Sequence, residues 1–149
     1  MLSRQASHAL KALLELAARP LEWQSTPALA MAQQLPEPML EQLLLRLRRA
    51  GLLDGKRGRL GGYRLTRPAR EISMEQILAG LGETLKESAN RSATSEPASS
   101  PADQVTHALQ LRLERVRLKA LAELSLEDLL FDLRSAVAGS DSEGGLMLG

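Results

Sequence analysis

Residues 25–65 read STPALAMAQQLPEPMLEQLLLRLRRAGLLDGKRGRLGGYRL, and this stretch decides the fold. The Ser-Thr-Pro at its start is typical of a helix N-terminus, and Pro36 ends the short helix that follows. A second helix is predicted over residues 39–50, with leucines on one side and arginines mostly elsewhere. Two such helices joined by a turn of about three residues have the spacing of a helix-turn-helix.

The remainder of the stretch predicts a β-hairpin with a basic tip. Two short apolar segments flank a loop, residues 55–62, that contains four glycines and three basic residues. A glycine-rich loop can also hold a nucleotide phosphate, but this one lacks the Walker pattern and does not lie between a strand and a helix. We therefore predict a mainly α fold with a small β-hairpin wing, a winged helix-turn-helix.

Helical patterns flank this central stretch on both sides. Residues 3–18 carry apolar side chains at steps of three and four, and Ser73 and Ser125 each begin a further predicted helix. Between these two helices, the segment that precedes a long helix is rich in Ser, Ala and Pro, which predicts a flexible linker. The predicted organisation is a DNA-binding domain (1–82), a linker (83–104), a long helix with a C-terminal helix (105–138) and a mobile tail (139–149).

The long helix carries an apolar stripe that predicts self-association. Its members follow one another at steps of four, three and four: Leu109, Leu113, Val116 and Ala120. A lone helix behind a flexible linker cannot bury such a surface on itself, so it packs on its own domain or on a second copy. We predict that it is a dimerisation helix.

The composition excludes several classes of function. No cysteine is present among the 149 residues, which excludes disulfides, thiolate–zinc sites and a cysteine nucleophile. Two histidines and no clustered carboxylates leave no plausible catalytic or metal site, so we predict no enzyme, no metal and no cofactor. No apolar run approaches the roughly 18 residues of a membrane span. We therefore expect a cytoplasmic protein that does not contact a membrane.

The charge is concentrated in the predicted helix-turn-helix and wing. The net charge of the chain is +1, yet residues 46–70 contain nine basic residues and one acidic residue. Such a segment suits a polyanion such as DNA. The alternative is a solvated basic surface without a partner.

The sequence resembles the Rrf2 type of bacterial winged-helix transcriptional regulators, which includes IscR, NsrR and CymR. The resemblance rests on the Leu40-Glu41-Gln42-Leu43 segment, the Arg57-Gly58-x-x-Gly61-Gly62-Tyr63-Arg64-Leu65 wing, and the Leu2-Ser3 and Ile72-Ser73 pairs. It is close over residues 1–82 and weaker in the long helix.

The resemblance implies a homodimer that binds palindromic double-stranded DNA. The second helix would enter a major groove with Glu41 and Gln42, the wing would reach a minor groove with Arg59 or Arg57, and Arg4 would contact phosphate. Alternatively, these side chains are exposed and have no DNA role. The candidate DNA-binding residues are Arg4, Thr26, Pro38, Met39, Leu40, Glu41, Gln42, Arg46, Arg49, Arg57, Arg59 and Tyr63.

The predicted linker departs from the pattern of the cluster-binding relatives. Those proteins carry three cysteines there, followed by a Thr-His pair that resembles Thr106-His107. Ser92, Ala98 and Gln104 stand near the cysteine positions, and a single imidazole cannot hold an iron–sulphur cluster. His107 is then either an ordinary helix residue or part of a site for a small-molecule or protein effector. A regulator whose activity depends on a partner protein is the alternative function.

Overall fold

The computed structural model describes residues 2–83 and 100–147 of the chain. The elements in chain order are α1 (Arg4–Ala18), α2 (Thr26–Gln33), α3 (Glu37–Arg49), β1 (Leu53–Lys56), β2 (Gly62–Leu65), a 3₁₀ turn (Ala69–Glu71), α4 (Met74–Gly80), α5 (Pro101–Glu123) and α6 (Leu126–Met147). The predicted mainly helical fold with a hairpin wing is confirmed. No helix in the described part of the chain is long and apolar enough to cross a membrane.

Local bonds define where the helix-turn-helix begins and turns. The Ser25 hydroxyl accepts a hydrogen bond from the Ala28 amide at 3.2 Å and caps α2. Gln34 then adopts a left-handed backbone, with φ of 54°, and the chain turns into α3. α3 begins at Glu37, two residues before the predicted start, because Pro38 lies in its first turn, where no amide is needed.

The core is built mainly from leucine, isoleucine and alanine. The largest side chains with less than 2% exposure in the described residues are Leu13, Leu16, Leu29, Leu40, Leu43, Leu44, Leu47, Leu53, Ile72, Ile77 and Leu126. Four of them lie on one side of α3. Since burial of each leucine contributes about 1.5–3 kcal/mol, α3 is held firmly against the domain with its other side outward.

The wing is an antiparallel hairpin that also pairs with the connection between α1 and α2. Leu53 lies opposite Leu65, and Lys56 lies opposite Gly62. Outside the hairpin, the Tyr63 amide donates to the Gln24 carbonyl at 2.8 Å, and the Gln24 amide donates to the Tyr63 carbonyl at 3.0 Å. The wing is therefore attached to the domain by backbone bonds as well as by side chains.

The C-terminal helices are attached to the domain where α5 meets α6. The Met74 amide donates to the Leu124 carbonyl, and the Leu126 amide donates to the Ile72 carbonyl, both at 2.8 Å. Leu126 and Leu130 of α6 are buried in the domain core, whereas α5 contains no buried residue. α5 thus lies on the domain surface and contributes little to the core.

The ends of the C-terminal helices differ from the predicted boundaries. α5 begins at Pro101, inside the predicted linker, because the Ser100 hydroxyl accepts from the Asp103 amide and Pro101 starts the helix. The backbone of α6 is helical to Met147, through most of the predicted mobile tail. Once packing has nucleated a helix, each added residue gains a backbone hydrogen bond, which offsets the poor propensity of the glycines. Residues 84–99 of the predicted linker lie outside the described residues.

Candidate nucleic-acid interface

The outward side of α3 is the surface that a DNA groove could receive. Three exposed residues lie on this side: Pro38, Gln42 one helical turn later, and Arg49 two turns after Gln42. Met39, at one edge of this side, is partly buried and packs against the core. The Gln42 amide and the Arg49 guanidinium are groups that read purine edges in a major groove.

Three of the predicted contact residues are buried. Leu40 is fully buried, so it is a core leucine and its side chain cannot read a base, contrary to the prediction. Thr26 is 6% exposed and Tyr63 is 8% exposed, and both direct their hydroxyl groups at Glu41 rather than outward. Their roles in the interface are therefore indirect.

Glu41 connects α2, α3 and the wing. Its carboxylate accepts a hydrogen bond from the Thr26 hydroxyl at the start of α2, and a second from the Tyr63 hydroxyl of the wing at 2.9 Å. A carboxylate that accepts two such bonds is already engaged within the protein. Glu41 therefore fixes the wing relative to α3, and Gln42 is the outward polar group of the pair.

Tyr63 titrates abnormally because of this environment. Burial raises its pKa most, and the hydrogen bond to Glu41 adds to the effect, so that together they raise it from 10 to about 12. The proton is thus held more tightly in the folded than in the unfolded protein. The resulting stability is fully present below pH 10, the pKa of the unfolded protein's tyrosine, and is lost as the pH rises toward 12.

This titration supplies a direct test of the Glu41–Tyr63 bond. The chain contains one tyrosine, so the near-ultraviolet absorbance of tyrosinate reports Tyr63 alone. We expect a midpoint near 12 in the native protein and a lower midpoint in Glu41→Gln, which removes the carboxylate charge. A midpoint that is the same in both proteins would contradict the bond.

A groove of about 350 Å³ lies between α3 and the wing. Glu41 and Leu45 line it from the helix, and the glycines of the wing line it from the hairpin. The basic side chains along the groove are Arg48, Lys56, Arg57 and Arg59. Four positive charges against one carboxylate that is already hydrogen-bonded make this groove suitable for a phosphate backbone.

The tip of the wing projects Arg59 and Leu60. The Gly61 amide donates to the Gly58 carbonyl at 3.1 Å, which closes a turn with these two residues at its centre. Both are exposed, and Leu60 retains 83% of its surface. An arginine on a narrow turn fits a narrow minor groove, and an exposed leucine beside it can contact the groove wall.

The outer side of the wing rests on Trp23. The Arg64 guanidinium lies 4.2 Å from the centre of the indole, and the Lys56 ammonium lies 5.8 Å from it. Both distances are within the range of cation–π attraction, which contributes about 0.5–1 kcal/mol at a partly exposed site. The only tryptophan of the chain therefore reports on the position of the wing.

The remaining basic candidates lie at the edges of this surface. A guanidinium nitrogen of Arg46 lies 3.4 Å from the Gln5 amide oxygen and 3.5 Å from the Leu81 carbonyl, so Arg46 faces α1 and α4 rather than the wing. Arg4 is exposed in the first turn of α1, next to Gln5. These two arginines could contact phosphates on the side of α3 opposite the groove.

Sequence reasoning missed Arg48 and Lys56 as site residues. Arg48 follows Glu41 by seven residues, and this two-turn step places both on the side of α3 that faces the wing. A Cβ added at Gly55 would come within 3.1–3.2 Å of the Arg48 guanidinium, so this arginine lies across the wing backbone. The helical period could have identified Arg48, but its contact with Gly55 is visible only in the fold.

The stripe on α5 is open to solvent. Leu109, Leu113 and Val116 are 52%, 59% and 62% exposed, and Ala120 is exposed as well. Val105 extends the same side by one turn and is 69% exposed. A contiguous exposed apolar surface of this kind is typical of an interaction site. His107, on the same helix, is exposed.

Comparison with protein families agrees with the geometry. A family model described as Rrf2, iron-dependent transcriptional regulator, matches residues 2–132. A putative HTH-type transcriptional regulator of Synechocystis sp. is 38% identical over 135 residues, which is 90% of each chain. The HTH-type transcriptional regulator IscR of Cereibacter sphaeroides is 39% identical over 87 residues, 56% of each chain.

Solved structures share the architecture of the chain. CymR, the global cysteine regulator of B. subtilis, matches with a TM-score of 0.73 and 26% identity, over 87% of this chain and 95% of CymR. IscR of T. potens matches with a TM-score of 0.67 and 30% identity, over 91% of this chain and 90% of that protein. The similarity thus extends beyond the helix-turn-helix to the C-terminal helices.

Proposed function

Because this chain belongs to the Rrf2 family of transcriptional regulators, we propose that it acts as a homodimer that binds palindromic DNA sites without an iron–sulphur cluster. The observation that carries the proposal is the adjacency of the open side of α3 and the basic groove beside the wing. The groove receives one phosphate strand, and α3 enters the major groove with Gln42 and Arg49 outward. Arg59 and Leu60 reach the neighbouring minor groove.

The exposed stripe of α5 supports the dimer. An apolar row along a surface helix is stable in water when a second copy covers it. A two-fold axis at α5 presents two copies of α3 to one duplex. Such pairs contact half-sites one helical turn apart, which makes the preferred site a palindrome.

The residues of the chain do not fit an iron–sulphur cluster, although the family is described as iron-dependent. The chain has no cysteine, and its two histidines are His8 and His107. Over the residues described, no group of three or more histidine, aspartate or glutamate side chains could hold a metal ion. Clusters in proteins need thiolate donors, so the proposed DNA binding does not depend on one.

In vitro selection from random duplexes tests the proposed function. We expect a palindromic consensus to be enriched, and its affinity to fall steeply with added salt because bound phosphates release counterions. Enrichment of unrelated sequences, or retention of none in dilute buffer, would contradict the proposal.

The wing tip supplies a sharper test on the selected duplex. Replacing Arg59 with alanine removes a charge that reaches a groove, so we expect binding to weaken by about 1–3 kcal/mol. Arg115→Ala is the matched control, since Arg115 is exposed on α5 and away from the groove. Fluorescence anisotropy measures both affinities. Equal affinities of the two variants would remove Arg59 from the interface.

A further inference from the structure

A second cleft, of about 580 Å³, lies on the other side of the wing, between the C-terminal end of α1, the base of the hairpin and α6. We propose that this cleft binds a small amphipathic carboxylate, and that this ligand regulates the proposed binding to DNA. The volume is within the usual range of small-molecule sites. Only the regulatory role of the ligand rests on the proposed function, because binding of the ligand to the cleft is measurable without DNA.

The floor of the cleft is apolar. Ala17, Leu65 and Leu130 line it with 5–7% exposure, and they come from α1, β2 and α6 respectively. At the rim, Leu21 has 86% of its surface exposed. A hydrocarbon chain of a ligand would cover this leucine and displace water from the floor, which is favourable in proportion to the apolar area buried.

Arginines surround this apolar floor. Four of them line the cleft, Arg64, Arg67, Arg70 and Arg134, against two carboxylates, Asp54 and Glu127. In the described ranges, none of the four guanidinium groups lies within 4.0 Å of a carboxylate oxygen, although both acids line the same cleft. A planar guanidinium forms two parallel hydrogen bonds with a carboxylate, so a carboxylate head group is the matching ligand chemistry.

The position of the cleft connects it with DNA binding. Arg64 belongs to the wing, and Arg134 belongs to α6, which is continuous with the junction to α5. A ligand that contacts both stabilises the arrangement in which the wing and α6 are close together. If DNA binding changes that arrangement, ligand and DNA alter one another's affinity by the same factor.

Tryptophan fluorescence provides the binding assay. The Arg64 guanidinium lies over Trp23 and also lines the cleft, so a ligand that engages Arg64 changes the environment of the single indole. We expect a saturable change in emission with butyrate, hexanoate and octanoate, and an affinity that increases with chain length. Hexanamide, which has no charge, should give no saturable change.

Variants at the arginine rim locate the site. The double variant Arg67→Ala with Arg134→Ala changes two exposed side chains, and we expect it to weaken octanoate binding by about tenfold or more. Arg115→Ala is the control and should bind as the native protein does. The proposed site is wrong if no carboxylate gives a saturable response, if hexanamide binds as well, or if the double variant retains the native affinity.

The regulatory half is tested on the selected duplex. We expect saturating octanoate to change the dissociation constant for DNA by about fivefold or more in the native protein, and to leave the double variant unaffected. An unchanged constant in the native protein would overturn the regulatory role while leaving the binding site intact. Loss of all duplex binding, by contrast, is a failure of the proposed function and does not alter the fluorescence result.

Discussion

Replacing Leu113 with glutamate should convert the protein to a monomer and weaken its binding to a palindromic duplex by about a hundredfold or more. Leu113 lies near the middle of the α5 stripe and is 59% exposed, so the change does not disturb the core of its own domain. In a symmetric dimer the substitution places two negative charges in one apolar contact, where they are costly to desolvate. A monomer then binds each half-site separately and loses the advantage of linkage.

Light scattering and anisotropy measure these two effects. Arg115→Glu is the matched control, because it introduces the same side chain on another side of α5. We expect that variant to remain dimeric and to bind DNA with an affinity close to the native one. A Leu113→Glu protein that stays dimeric would show that the stripe is not the dimer contact.

The second large effect is expected at Gly62, where the wing passes closest to the connection between α1 and α2. Its φ is +143°, and a Cβ added there would lie 2.3 Å from the Gln24 carbonyl oxygen and 2.7 Å from the Ser25 nitrogen. Both obstructing atoms belong to backbone, so neither moves cheaply. Gly62→Ala should therefore separate the wing from the domain and lower the free energy of unfolding by about 2–4 kcal/mol.

Gly58→Ala separates two contributions to the free energy of unfolding, the steric clash of an added Cβ and the strain of a positive φ. Gly58 also has a positive φ, +105°, but a Cβ there would meet nothing within 4 Å. We expect it to cost about 1 kcal/mol. Urea unfolding gives both values, and Trp23 emission shows whether the wing has left the indole. Equal costs at the two glycines would mean that the close approach to Gln24 does not hold the wing.

The fold was predictable because its determining patterns are local. The leucine steps of α3, the serine caps and the glycine-rich hairpin each act over a few residues, and together they indicate a winged helix-turn-helix. The same steps also mark Leu40 as a member of the buried row with Leu43, Leu44 and Leu47. Its predicted role in reading bases rested on its position at the start of α3. Because the side chain is buried in the core, it cannot contact a base.

The site itself was only partly predictable, because its decisive contacts join distant segments. The bond between Glu41 and Tyr63 spans 22 residues, and the one between Thr26 and Glu41 spans 15. No periodicity relates these positions, so the sequence indicated that Glu41 and Gln42 are both exposed. In the fold, Glu41 bridges α2 and the wing, and Gln42 points outward. The cleft between α1, the hairpin base and α6 likewise draws its lining from four separate segments, residues 17–21, 54, 64–70 and 127–134.

The short backbone bridge between residues 72–74 and 124–126 bears on how regulators of this type diversify. It attaches the far end of α5 to the domain through main-chain bonds, which tolerate side-chain replacement. Side-chain substitutions at these positions are therefore expected to leave the direction of α5 relative to the domain unchanged.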